Sequence, residues 1–259
     1  MQLSKRILIP IRDRLGPGGR RYAEIVRVTL AFLKNGGAFF DRECNICGYE
    51  GRFYPAGFPS GLALRLDAGC PSCGSLERHR FLKLWADANT GEIEGRSVLH
   101  FAPEAAVRRF VEPLAREYVT ADVDGHKDVR LTLDIENIDL PDASYGLVIC
   151  AHVLEHVNDR KALKELYRII EPGGALLVMV PIIEAWSETY EDETIVAPEA
   201  RFLHYGHSDH VRIYGADAPK RILEAGFEVE SLMADAPDVS RYALSHGEKL
   251  FICRKKRDA

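Results

Sequence analysis

The sequence predicts an α/β protein: a mainly parallel sheet of seven strands covered by helices on both faces, preceded by a small cysteine-rich module. Two observations carry this expectation. From Ser97 onward, apolar runs of strand length alternate with stretches of helical period, the pattern of a parallel sheet with crossover helices. Before that point, two C-x2-C pairs stand in a segment rich in Gly, Pro and aromatic residues. The chain of 259 residues is long enough for one large domain and an appendage. The reading divides it into a basic segment and amphipathic helix over 1–40, a cysteine module and linking helix over 41–93, and the α/β domain over 94–259.

The first segment carries Lys5, Arg6, Arg12, Arg14, Arg20 and Arg21, and "RKKR" (Arg254 to Arg257) lies near the other end. Against a formal net charge of −5 these clusters read as solvated terminal charge, so a nucleic-acid partner is not expected. The stretch "RYAEIVRVTLAFLKNGG" has helical period and is stopped by Gly36 and Gly37; its apolar face can pack on the core or on a second copy of the chain, giving a homodimer. The longest apolar runs, such as "ALLVMVPII", fall far short of the roughly 20 residues of a spanning helix, and no membrane association is expected. The N-terminus lacks the apolar segment and small-residue cleavage site of a signal peptide, so a cytoplasmic location is the default.

Cys44 and Cys47 form "CNIC", and Cys70 and Cys73 form "CPSC". Each pair lets one tight turn aim two thiolates at a single ion, and two such turns complete the tetrahedral sulfur cage that Zn²⁺ prefers. Gly48 and Gly74, directly after the pairs, suit the sharp backbone of such knuckles. A structural zinc ion is the reading; two disulfides or an iron–sulfur cluster are the alternatives. Cys150 and Cys253 lie in apolar runs and read as packing residues. After the second knuckle, "SLERHRFLKLWADAN" reads as an amphipathic helix, with Leu76, Phe81, Leu82 and Trp85 on one side and Arg78, His79, Arg80 and Lys83 elsewhere; Arg78, His79 and Arg80 could reach a substrate, but a solvated or interface face is the preferred reading.

In the α/β half, "SVLHF", "YVTAD", "VRLTLDI", "YGLVICA", "ALLVMVPI", "FEVESLMA" and "KLFICRKK" are the seven strands. "PEAAVRRFVEPLAREY", "DRKALKELYRIIEPGG" and "APKRILEAG" are helices between them. Ligands of such sheets bind at the C-terminal strand ends. Asp122 ends the second strand, where an acid can accept from ribose hydroxyls, but the first turn reads "HFAPEAA" and lacks the glycines that a dinucleotide pyrophosphate demands. A nucleoside cofactor without phosphate fits this pattern. S-adenosylmethionine has a ribose, an adenine and a zwitterionic tail whose ammonium can meet Glu104.

The block "LPDASYGLVICAHVLEHVNDRKALKELYRIIEPGGALLVMVP" (Leu140 to Pro181) resembles the central block of class I S-adenosylmethionine-dependent methyltransferases of type 11. "DHVRIYGADAPKRILEAGFEV" (Asp209 to Val229) resembles a later block of the same group, and the likeness covers about Glu94 to Lys256. "LHFAPE" departs from the family's Asp-x-Gly-x-Gly turn and looks like a sub-family variant seen with N-terminal cysteine knuckles. The resemblance implies a Rossmann-like fold and S-adenosylmethionine as cofactor. It also implies site roles: His100, Phe101, Ala102, Pro103 and Glu104 lining the methionine and ribose side, Asp122 on the ribose, and Val123 beside the adenine. Asp134 would accept from the adenine amino group with Ile135 and Glu136 beside it, and Cys150, Ala151 and His152 would lie under the sulfonium. For each acid the alternative is a cap or turn role.

Methyl transfer from a sulfonium mainly requires alignment and exclusion of water, and a base matters most for a hydroxyl acceptor. The segment "IIEAWSETYEDETIVAPEARFLHYGHSDHVRIYG" is where an acceptor should bind, and it holds His204, His207, Asp209, His210 and Arg212. His207 or His210 is the expected base, with His152 across the cleft as a further candidate, Asp209 as orienter and Arg212 as an anchor. A histidine-rich hydrogen-bonded loop and a second metal site are the alternatives. Glu184, Glu188, Glu191, Asp192 and Glu193 read as a mobile polar lid or a solvated loop. In "CAHVLEHVND" the spacing H-x-x-E-H matches a zinc-protease helix, yet the motif follows a strand directly and the helix begins near Asp159, so His152 and His156 need not share a face. The functional expectation is O-methylation of a small molecule or glycan; RNA methylation and a non-catalytic scaffold are the competing readings.

Overall fold

Residues 42–57, 64–125 and 129–257, with Leu30, are described by the structure, a computed structural model. The basic cluster and amphipathic helix expected over 1–40 lie outside the described residues.

The cysteine module is built from short pairings: β1 (Arg42–Glu43) with β2 (Glu50–Gly51), and β3 (Tyr54–Gly57) with β4 (Leu64–Gly69), both antiparallel. Helix α1 (Glu77–Ala88) follows. The α/β part then runs β5 (Ser97–Phe101), α2 (Ala105–Val111), β6 (Glu117–Asp122), β7 (Leu131–Thr132) and β8 (Tyr145–Ala151). It continues with α3 (Asp159–Ile169), β9 (Ile170–Met179), β10 (Tyr190–Glu191), α4 (Pro198–Tyr205) and β11 (Arg212–Ile213). It closes with α5 (Ala218–Glu224), β12 (Glu228–Met233), α6 (Asp238–Tyr242) and β13 (Lys249–Arg254).

Among the described residues the central sheet has seven strands in the order β12-β13-β9-β8-β5-β6-β7. Only β13 runs against its neighbours, as the mainly parallel expectation requires. The period of two along each strand sends alternate side chains to opposite faces. Leu99, Val148, Cys150, Leu176, Val178 and Phe251 pack on one face with Leu163 and Leu166 of α3 and Ile222 of α5. Val98, Leu147, Ile149, Leu177 and Ile252 pack on the other with Phe81, Leu82 and Trp85 of α1 and Val107 and Phe110 of α2. Helix α1 is thus part of the wall of the sheet, and the described residues from Arg42 onward form one compact unit.

Several expected elements are shorter; the helix expected over 159–174 ends at Ile169, and Ile170 to Gly174 belong to β9. The strand expected over 129–135 pairs only at Leu131 and Thr132, because at the sheet edge its partner β6 ends at Asp122. The helix expected from Pro103 ends at Val111, just before Pro113, which has no N–H to continue it. Helix α3 begins at Asp159 as expected, with the Asn158 side chain accepting from the Lys161 amide at 3.2 Å. Among the described residues no helix is long and apolar enough to cross a membrane.

Candidate active site

After β5 the chain moves outward through β6 and β7, then returns with β8 on the other side of β5. The carboxyl ends of β5 and β8 are therefore the switch point where an open α/β sheet opens a crevice. The residue after each strand sits in the left-handed region: Ala102 at φ 47° and His152 at φ 57°. Neither is glycine, so each turn holds strain of roughly 1 kcal/mol or more, maintained by the bonds Ala102 N–H to Ala121 O (2.9 Å) and His152 N–H to Met179 O (2.8 Å). In the "HFAPE" turn, Ala102 carries the backbone conformation that glycine would adopt more easily.

Phe101, Cys150 and Ala151 turn their side chains into the core, so what they can offer the crevice is backbone. Burial raises the Cys150 thiol well above its ordinary range, and neither it nor buried Cys253 is poised as a nucleophile. Four buried polar atoms at these strand ends lack a hydrogen-bond partner: Nε2 of His100, Oε2 of Glu104, Nε2 of His152 and Oε2 of Glu155. Buried polar groups are nearly always paired, so a cluster of exceptions marks a place for a ligand. The other nitrogen of His100 meets the Tyr118 hydroxyl at 2.6 Å, and burial pushes this imidazole down to about 4.

Glu104 is already engaged by α1. Nε of Arg78 donates to its Oε1 at 3.1 Å, and His79 Nε2 stands 2.7 Å from the same oxygen. Burial alone would raise this carboxyl, but His79 and Arg78 hold it at about 2. Arg78 and His79, expected on a solvated or interface face, instead line the first turn. Their signal in the sequence was only their charge.

Asp122 is half-buried at the end of β6, with its carboxylate 3.4 Å from the Asp124 amide, and Val123 beside it is exposed. Asp134 is exposed and accepts from the Glu136 amide at 2.9 Å, a turn role. Ile135 is buried, and Glu136 accepts from the Asn158 amide at 2.7 Å, tying this loop to the start of α3.

Across the crevice, Val211 N–H donates to Glu155 O at 2.9 Å, pinning the loop of residues 207–211 onto the turn after β8. Asp209 hydrogen-bonds Nδ1 of His207, and its other oxygen stands 3.3 Å from Nδ1 of His156. The rings of His156 and His210 meet edge to face at 4.6 Å, and those of His207 and His210 stack at 4.8 Å. Burial pushes His210 down to about 4, so it is neutral at pH 7 but a weak base. His152 does not join this group; its Nδ1 meets Glu155 Oε1 at 3.2 Å. His204 stands apart as well, bonded to the Tyr190 hydroxyl at 2.6 Å.

Arg212 is a structural anchor: buried, it donates to the carbonyls of Leu154 (2.6 Å) and Val157 (2.5 Å) and to Glu191 (2.9 Å). Glu191, read as part of a polar lid, is held by Arg212 and Arg221. Beside this anchor lies an open cleft of about 390 Å³, lined in part by His156, Asn158, Glu193 and Arg201.

Glu248, just before β13, had no signal in the sequence. Burial raises its carboxyl to about 7, with Glu77 adding to the rise and His152 and Arg78 opposing it. An acid with a raised folded-state value binds more protons folded than unfolded between the ordinary carboxylate range and about pH 7. Stability should therefore fall as pH rises through that window. Glu248→Gln should flatten this dependence, on the order of 1 kcal/mol, as read by urea unfolding at pH 5 and pH 8; a variant with the wild-type slope would refute it.

The four module cysteines form the second candidate centre. Their sulfurs lie within 4.8 Å of one another, with Cys44–Cys73 at 3.6 Å and Cys47–Cys70 at 3.7 Å. A tetrahedral Zn–S cage at ~2.3 Å places sulfurs ~3.8 Å apart, whereas a disulfide needs ~2.05 Å. The two knuckles repeat one geometry. The Gly48 amide bonds Cys44 O at 2.8 Å and the Gly74 amide bonds Cys70 O at 2.9 Å, with φ of 72° and 73° at the two glycines.

Next to the sulfurs, Arg80 is 0% exposed. It donates to the carbonyls of Ala68 (2.9 Å), Ser75 (2.7 Å), Tyr242 (2.6 Å) and Ala243 (2.7 Å), and lies over the Phe53 ring at 4.6 Å. It therefore corrects the expectation of a solvated or interface residue. Burial lowers its pKa, while Glu77 and the sulfurs of Cys44, Cys70 and Cys73 oppose that.

Residues 97–178 match the family described as methyltransferase domain, type 11. Among curated proteins, the ubiquinone/menaquinone biosynthesis C-methyltransferase UbiE of Hydrogenovibrio crunogenus is 28% identical over 148 residues, 52% of this chain and 56% of that protein. An uncharacterized protein of Methanocaldococcus jannaschii is 41% identical over 54 residues, 21% of this chain and 24% of that protein. The chain thus spans about half or less of the length of these relatives. Among solved structures, the [4+2]-cyclase SpnF superposes with a TM-score of 0.52 at 14% identity, over 70% of this chain and 82% of that one, a likeness of fold. Sheet order and switch-point crevice are those of a Rossmann-like fold, and residues 97–178 within it match a methyltransferase domain. The matched stretch runs from β5 into β9.

Proposed function

We propose that this protein transfers a methyl group from S-adenosylmethionine to a hydroxyl of a small molecule or glycan, with His207 as the base. The observation that carries the hydroxyl reading is the His207–Asp209 pair, pinned against the β8 turn beside the crevice. When bound, S-adenosylmethionine supplies an electrophilic methyl carbon on a good leaving group. The unpartnered Glu104 oxygen fits its ammonium, and Asp122 and Asp134 stand at strand and loop ends where the ribose and adenine would be held. With the acceptor hydroxyl held beside the crevice, His207 would take its proton as the oxygen is methylated. Asp209 fixes the tautomer that leaves the other ring nitrogen free to take that proton.

The reading extends to the module. Four thiolates around one Zn²⁺ carry a net charge of −2, and the buried Arg80 guanidinium beside them is the counter-charge such a centre needs. All four ligand positions are filled by sulfur, so the ion is structural. Free thiols at metal spacing accord with a reducing compartment, the cytoplasm.

A panel of sugars, phenols and amines with methyl-labelled S-adenosylmethionine, read by mass spectrometry, tests the reaction. A methylated hydroxyl is expected, and His207→Ala should lower its rate by about 10²-fold with S-adenosylmethionine affinity unchanged. Exclusive methylation of amines, or of carbon as the UbiE name denotes, would refute the hydroxyl assignment. Calorimetry without S-adenosylmethionine binding would leave a scaffold.

A further inference from the structure

We propose that Glu155, His156 and His210 form a second metal site, for a divalent transition-metal ion such as Zn²⁺ or Co²⁺, separate from the four cysteines. One ligand atom from each of the three lies within 4.8 Å of the other two. Two imidazoles and one carboxylate are a donor set for such ions, with metal–ligand distances of ~2.0–2.2 Å, and small side-chain rotations bring this trio to that spacing.

The second and independent observation is Glu155 itself. It is 1% exposed, its Oε1 meets His152, and its Oε2 has no partner. A buried carboxylate with a bare oxygen is costly unless a cation meets it. The imidazoles explain the same arrangement from the other side. Three histidine rings are packed within 6.0 Å of one another, and imidazole nitrogens are common ligands of such ions. Asp209, 3.3 Å from Nδ1 of His156, is the backing carboxylate that metal-bound histidines commonly have.

The positions come from two elements. Glu155 and His156 stand on the one-turn 3-10 helix Leu154–His156, and the loop pinned by the Val211–Glu155 bond delivers His210. Three protein ligands leave further coordination positions open, and His156 lines the adjoining 390 Å³ cleft, from which water or an acceptor oxygen can reach the ion. His207 stays outside the trio as the proton acceptor. The site goes beyond the methyl-transfer reading and stands on metal binding alone.

Titrating the purified full chain with Co²⁺ tests it. Elemental analysis should first give one zinc per chain, at the cysteines. Added Co²⁺ should then fill one further site with weak visible bands and no sulfur-to-cobalt charge transfer. His210→Gln and Glu155→Gln should each weaken this second equivalent by at least about 100-fold while the first zinc remains. His210 is half-buried and off the core, so its variant decides the matter if Glu155→Gln fails to fold. Absence of a second equivalent in the wild type, or its retention at unchanged affinity in His210→Gln, would overturn the proposal whatever the protein's transferase activity.

Discussion

Replacing Arg80 with alanine should destabilise the protein by about 3–5 kcal/mol, the range for removing one member of a buried charged network. Its guanidinium is the shared donor for four carbonyls, two from the cysteine module and two from the end of α6 and the residue after it. Without it those carbonyls remain buried, far from water, and the counter-charge to the sulfur centre is lost. Arg80→Lys should recover only part of the loss, because one ammonium cannot span carbonyls that a planar fork reaches from several sides. Urea unfolding at neutral pH, with zinc content measured alongside, checks this. A loss below about 1 kcal/mol for the alanine variant would show that Arg80 is a bystander to the module.

A comparable loss, about 3–5 kcal/mol, is expected for Asp159→Ala. Asp159 is 1% exposed and receives Arg221 through two bonds of 2.7 and 3.0 Å and the Tyr214 hydroxyl at 3.0 Å, with Arg212 at 3.6 Å. Burial alone would raise its pKa, but Arg221 and Arg212 hold the carboxyl below the usual range. Deleting the anion leaves two buried guanidinium groups sharing the single carboxylate of Glu191, one positive charge uncompensated. Because Arg212 also holds the carbonyls of Leu154 and Val157, the segment around β10 and β11 should become the first site of proteolysis. The double variant Asp159→Ala, Arg221→Met should be more stable than the single one, since it removes the uncompensated charge. Equal stability of the two variants would show that the charges are not the cause.

The strands were legible wherever burial on both faces makes a run continuously apolar: "SVLHF" and "YGLVICA" are β5 and β8 to the residue. The edge strand was overrun because "VRLTLDI" has strand composition along its whole length, while pairing depends on how far its neighbour extends. The knuckle cysteines were legible from spacing alone, since C-x2-C with a following glycine dictates its own local turn. Arg78, His79 and Arg80 were not. A helical period shows which residues share a face, and these three stand on a face covered by sequence-distant groups at Glu104, Tyr242 and Ala243. Glu248 was hidden for the same reason, its surroundings coming from α1 and the β8 turn.

The opening letters of the H-x-x-E-H motif show the division most clearly. By itself the sequence determined that this motif follows a strand and that the helix behind it begins near Asp159, so that His152 and His156 need not share a face. Those are local matters, decided by period and composition. Only the tertiary structure decided that His156 and Glu155 meet His210, more than fifty residues later in the chain, while His152 turns to the strand end. Local preferences act over a few residues. The Val211–Glu155 bond and the buried Arg212 anchor that set this meeting exist only once the sheet has folded.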